Sequence, residues 1–272
     1  MRSLLFAVLL TVVAASALSA SDPLDAFHYR ASRVPAVGTV VNYVKSNLDG
    51  SKPSLVSLYF AGADDIEVSK SEAGATESID VKAHLDWKRF IADRLDSGDL
   101  TRDGGRAPRA MLNIGKDEVR ASYDTFEQRL TSNIHPLHVY NFDLMGLNVM
   151  LPQLRNPKQN FTIGFVEPTF AVTTDVIELR GKATATYVGE ETVGGRAAHR
   201  FHLSGAGLAN AEASLWIDAD DGLIDLVESP LPNNPEWTSY RLARRGPTQH
   251  MSPAEWTAFK LAHIGVGVGS MQ

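Results

Sequence analysis

Apolar and polar residues alternate with a period of two along most of the chain, the pattern of extended strands whose successive side chains face opposite ways. Val56, Leu58 and Phe60 share one parity; Ile66 and Val68 alternate with Glu67 and Ser69; Ile79 and Val81 alternate with Ser78, Asp80 and Lys82. Ala110, Leu112 and Ile114 lead through Gly115-Lys116 into Val119, Ala121 and Tyr123, which predicts a hairpin with a glycine at the turn. Phe161, Ile163 and Phe165 alternate in turn, and residues 174 to 188 are β-branched enough for one long strand or a bent pair. A turn is predicted over Gly189 to Gly195, after which Ala197, His199, Phe201 and Leu203 return on one face. Leu215 and Ile217 follow, and beyond Asp220-Asp221-Gly222 come Ile224 and Leu226.

Strands spaced by about 8 to 15 residues with turn signals between them favour a meandering antiparallel sheet over strand-helix-strand units. Residues 84 to 97 fit two patterns: Trp87, Phe90, Ile91 and Leu95 suit a helix face, whereas Leu85, Trp87 and Ile91 share a strand parity, and the context favours strand. One helix is explicit, starting at Ser252 as N-cap, with Pro253 in the first helical position and Glu255 completing a capping box. Met251 and Trp256 are spaced as a hydrophobic staple, and Gly265 can end the helix. The organisation expected is an N-terminal leader at 1–20, one β domain at 21–250 and a C-terminal helix with a frayed tail at 251–272.

The leader is read from Arg2, the apolar run Leu4 to Val13 and the small residues up to Ala20, the form of a cleavable secretory signal peptide. No later run reaches the ~18 to 20 apolar residues of a membrane-spanning helix, so the mature chain is expected without a transmembrane anchor, in a periplasm or secreted. The absence of cysteine removes any acceptor for an N-terminal lipid and any disulfide. With 26 basic and 32 acidic residues of interspersed sign, nothing suggests a continuous surface for phosphates, and a nucleic-acid partner is not expected. Arg241, Arg244 and Arg245 are the densest basic segment and read as a solvated strand end.

Candidate chemistry is sparse. His135, His138 and Asp143 are the metal candidates, but Pro136 interrupts any helix face, and in an extended chain residues three apart point opposite ways. The segment reads better as a loop entering a half-buried strand, with Tyr140, Phe142 and Leu144 on one side and Asn141 and Asp143 on the other. His199 and His202 repeat the same spacing. Asp218, Asp220 and Asp221-Gly222 lack the closing glutamate of a calcium loop, and Ser204-Gly205-Ala206-Gly207 lacks the lysine of a phosphate loop. No catalytic residue and no cofactor motif emerges.

The stretch from Ala185 to Glu190, Gly194-Gly195-Arg196 through Phe201, Leu215-Trp216-Ile217-Asp218 and Gly222-Leu223-Ile224 resembles uncharacterised periplasmic β families that share a half-barrel with the lipoprotein carrier and localisation proteins. The resemblance implies a mainly β fold, one large antiparallel twisted sheet curled into an open or half-closed barrel around an apolar cavity, here with a short C-terminal α-helix. It implies no catalytic residues. The function expected is a soluble binding protein, a carrier, chaperone or sensor, for an apolar or amphipathic ligand such as a lipid or acyl chain. Phe201, Leu203, Leu215, Trp216, Ile217 and His199 are the ligand-binding candidates. The alternatives are a non-catalytic envelope protein with a protein partner, and a metal-dependent hydrolase built on His135, His138 and Asp143.

Overall fold

The period of two resolves into fifteen strands of one sheet in the computed structural model of the chain, which describes residues 22–169, 176–230 and 237–266. The leader expected at 1–20 and the tail beyond 266 lie outside the described residues. Eight strands form a first antiparallel meander: β1 (Thr39–Ser46), β2 (Ser54–Phe60), β3 (Asp65–Glu72), β4 (Glu77–Asp86), β5 (Ile91–Thr101), β6 (Arg106–Ile114), β7 (Glu118–Tyr123) and β8 (Phe126–Thr131). Seven form a second: β9 (Leu137–Val139), β10 (Phe161–Pro168), β11 (Ile177–Val193), β12 (Arg196–Ser204), β13 (Ala213–Asp218), β14 (Ile224–Pro230) and β15 (Ser239–His250).

The two runs join back to back where β1 pairs with β15, Tyr43 lying opposite Arg244, while β8 and β9 are the outermost strands. Every ladder is antiparallel except β9 with β10. The sheet curls without closing into a barrel. At the gap, Gln128 of β8 accepts hydrogen bonds through Oε1 from the backbone N–H groups of Val176 and Ile177, at 2.6 and 2.8 Å.

Two segments depart from the pattern read in the sequence, and a third, residues 84–97, takes the strand form that its context favoured, bent at a turn. Residues 84–97 are a hairpin, β4 turning into β5 through 87–90 with Phe90 at φ +53°, so the tight turn crowds its apolar residues into helix-like spacing. The turn expected at 189–195 shrinks to Gly194-Gly195, both at positive φ, because β11 continues to Val193 with its outer residues in water. The strand expected through Leu144 ends at Val139. Tyr140–Phe142 is a 3-10 turn, Asp143 and Leu144 are left-handed, and the single-turn helix α1 (Met145–Asn148) follows.

That last departure builds the plug. Between β9 and β10 the chain sends Phe142, Leu144, Met145, Leu147, Val149, Met150 and Leu151 into the concave face of the sheet, all buried. Asn148 bolts this plug to both meanders: its Nδ2 donates to the Tyr43 hydroxyl at 2.8 Å, and its Oδ1 accepts from Ile224 N–H at 2.7 Å. The terminal helix α2 (Pro253–His263) forms with the capping box expected and lies on the opposite face, where Trp256 packs on Val40 and Tyr59. The helix covers Tyr59 on the outer face of β2, whose Val56, Leu58 and Phe60 face the core on the other side. On the outer face, Lys260 of α2 places its Nζ 2.9 Å from Glu67 and 2.7 Å from Asp80, and Arg106 meets the other Asp80 oxygen at 3.0 Å.

Candidate functional site

Registered strands set side chains in rows across a sheet, and on the concave face of the first meander these rows are graded in polarity. Ile66, Ala83, Leu95, Leu112 and Ala121 form one row; Val68, Val81, Ser97 and Ala110 form the next. Beyond these lie Tyr43, Val56, Lys70, Ile79 and Asp99, and then Lys45, Ser54 and Glu72. Between the rows and the plug a cavity of about 830 Å³ remains. Val81, Leu95, Leu112 and Ala121 line one end, while Lys45, Lys70, Asp143, Trp237 and Tyr240 line the other. The volume falls within the range of ~300 to 1,000 Å³ typical of small-molecule sites.

The charged end is built around Asp143, whose side chain is 2% exposed and which the left-handed step after Phe142 turns towards β1 and β3. Lys45 Nζ lies 3.0 Å from one of its oxygens and Lys70 Nζ 2.7 Å from the other. Burial pushes the Asp143 carboxyl up, but the two ammonium groups outweigh it and hold the carboxyl below its ordinary range. Burial lowers Lys70, with the like charge of Lys45 acting in the same direction. Lys70 also donates to the Asn141 carbonyl at 2.9 Å. Lys45 stands 4.6 Å above the Trp237 ring and Lys52 5.7 Å from it.

Nearby, Arg180 pairs with Glu167 and lies 4.5 Å over the Tyr140 ring. Burial pushes the Tyr140 phenol up to about 12 and raises Tyr240 well above its usual value. The Tyr240 hydroxyl is buried without a hydrogen-bond partner among the described residues.

The ligand candidates of the sequence sit elsewhere. Phe201, Leu203, Leu215 and Ile217 do come together, as expected from their parity, but in a filled part of the core. Phe201 packs edge-on against Phe161 at 5.5 Å and Tyr187 at 5.6 Å, and none of these four residues lines the cavity. Trp216, one residue out of phase, points to the other face beside Ala198 and Leu226, where its Nε1 donates to Glu191 at 2.8 Å. His199 is buried 3.7 Å from Glu190, and burial lowers its pKa.

The metal candidates fare similarly. Burial pushes the His138 pKa down to about 3, neither of its ring nitrogens has a hydrogen-bond partner among the described residues, and His135 is half-buried. Asp143 is engaged by two lysines. No group of three or more histidine or carboxylate side chains among the described residues is placed to hold a metal ion. The residues that line the charged end left one signal in the sequence: Lys70 shares the parity of Ile66 and Val68, and Lys45 that of Val41 and Tyr43, lysines on an apolar strand face.

No protein-family model matches the chain, and no curated protein matches it. Solved structures do. A β-barrel-like protein of a domain of unknown function from Brucella abortus is similar over 79% of this chain and 98% of its own, at 7% identity and a TM-score of 0.44. MucB, solved in complex with MucA from Pseudomonas aeruginosa, is similar over 86% of this chain at 14% identity and a TM-score of 0.29; the match spans 59% of its length. A LolA superfamily protein from Nitrosomonas europaea is similar over 83% of this chain and 92% of its own, at 8% identity and a TM-score of 0.22. No helix among the described residues is long and apolar enough to cross a membrane.

Proposed function

We propose that this chain is an exported binding protein that holds an apolar or amphipathic molecule, such as a lipid or acyl chain, in the cavity between the first meander and the plug. The observation that carries this reading is the cavity itself: about 830 Å³ of space against the apolar rows of β4 to β7, which the plug leaves unfilled. Apolar surface facing such a space gains free energy when an apolar partner displaces water, about 0.8 kcal/mol per methylene buried. A chain of about ten carbons would thus contribute about 8 kcal/mol before the cost of association, sufficient for reversible capture. The leader read at 1–20 supplies the route out of the cytoplasm.

The test has two arms. Intact mass of envelope-fraction protein is expected to correspond to a chain starting near Ser21. Native mass spectrometry of protein purified without detergent is expected to show bound lipid, and titration with fatty acids or phospholipids is expected to change the emission of Trp237, which lines the cavity. A ligand-free mass together with flat titrations across both lipid classes would discard the reading and leave an envelope interaction protein as the better account.

A further inference from the structure

We infer that the cavity selects amphiphiles with an anionic head, taking a carboxylate or phosphate oxygen between Lys45, Lys70 and Tyr240 and laying the tail towards Leu95 and Leu112. This rests on the binding function proposed above and specifies the chemistry of its ligand. Two ammonium groups converge on the single Asp143 carboxylate at 3.0 and 2.7 Å, so the cluster carries a net positive charge away from bulk water. The like charges oppose one another there, and a second anion would relieve them.

The other carboxylates that line the cavity do not supply that anion: Glu72, Glu77 and Glu178 are exposed to solvent, Asp99 is paired with Arg109 at 3.0 Å, and Glu167 is paired with Arg180. A donor is available as well: the Tyr240 side chain is only 6% exposed, its hydroxyl has no partner among the described residues, and Lys45 Nζ lies 5.9 Å from its ring. Burial keeps that phenol protonated and therefore able to donate a hydrogen bond. A buried donor without a partner destabilises the fold, and a ligand oxygen would satisfy it. The register then places a tail: the rows that follow Lys70 across the face as far as Leu112 are apolar apart from Ser97.

The test uses the mature protein and isothermal titration with dodecanoate, dodecyl phosphate and dodecanol, which share one tail. Both anions are expected to bind at least about tenfold more tightly than the alcohol. Lys45→Met is expected to bring that ratio to within about twofold, whereas Lys45→Arg keeps it and guards against a folding defect. Asp143→Asn removes the competing carboxylate and is expected to widen the ratio. Equal binding of dodecanoate and dodecanol to the unaltered protein, or an undiminished ratio in folded Lys45→Met, would overturn the anionic head while leaving an apolar site. Binding of none of the three would remove the binding function and this assignment with it.

Discussion

The two meanders share one sheet and one period, yet the middle of the second, around Phe201, is filled, whereas the first faces a cavity that the second reaches only at its edge, through residues such as Arg180 and Tyr240. In the second, Phe201 meets Phe161 and Tyr187 edge-on, and Phe165 meets Tyr140 in the same way, so these rings pack the core there. In the first, Val81, Ser97, Ala110, Leu112 and Ala121 are too small to reach the plug, and the cavity is the remainder. Alternation decides which face a residue takes, but side-chain volume and the opposing layer decide whether that face closes. The hollow meander is instead braced from outside, where α2 grips β3 and β4 through Lys260. Even the burial of acids differs in sign: Asp143 in the cavity is held low by two lysines, whereas Asp225 behind the filled meander is pushed up by burial to about 6 despite Arg196 at 2.7 Å.

The largest test of this contrast is truncation on each side. Phe201→Ala is expected to cost about 3 to 5 kcal/mol in urea unfolding, because rings on several sides cannot collapse into the gap. Leu112→Ala, facing space already empty, is expected to cost no more than about 2 kcal/mol. Equal costs would break the contrast. Next, Lys260→Ala leaves Asp80 and Glu67 short of a cation and is expected to cost about 3 kcal/mol, with hydrogen exchange rising first in β2 to β4. Exchange rising equally in β12 to β14 would show that the brace is not local.

A smaller effect is expected from closing the space. Ala121→Trp projects a ring into the cavity and is expected to weaken fatty-acid binding by at least about tenfold with little change in unfolding midpoint. Unchanged affinity would place the ligand elsewhere.

Acidity gives the finest distinction. Asp225, raised when folded, adds stability that is present below the ordinary carboxylate range and lost as pH climbs through about 6. Asp143, lowered when folded, adds stability present above that range and lost as pH falls through its depressed value. Asp225→Asn is therefore expected to gain on the unaltered protein by about 2 kcal/mol between pH 4.5 and 8, read from urea midpoints. A difference independent of pH would show that the carboxyl titrates normally.

Most strands were legible because each needs only its own parity, and the Ser252-Pro253-Glu255 start of α2 because its cap is encoded within four residues. Segments whose shape is set by distant partners were not. Tyr140 to Leu144 alternates like a strand, but the concave face requires a plug there, and Asp143 turns to meet lysines some 70 and 100 residues away. The candidate site was illegible for the same reason: Phe201 and Leu215 look like a ligand face until the rings opposite them are placed. Lys70 on an apolar parity was the available clue, and its meaning depended on Asp143.

The back-to-back joint has a consequence for the order in which the molecule assembles. Each meander is made of neighbours in sequence, but β1 and β15 are about 200 residues apart, so their ladder carries a loop-closure cost that no other ladder in the sheet approaches. Hairpins within each run can form early, leaving their union as the slow event. Cutting the chain within 132–136 and linking its ends with a flexible tether would put the strands in spatial order from β9 through β15 and β1 to β8. Stopped-flow refolding of that rearranged chain is expected to lose its slowest phase without any change in the final sheet, because the longest closure in the topology has become a local turn.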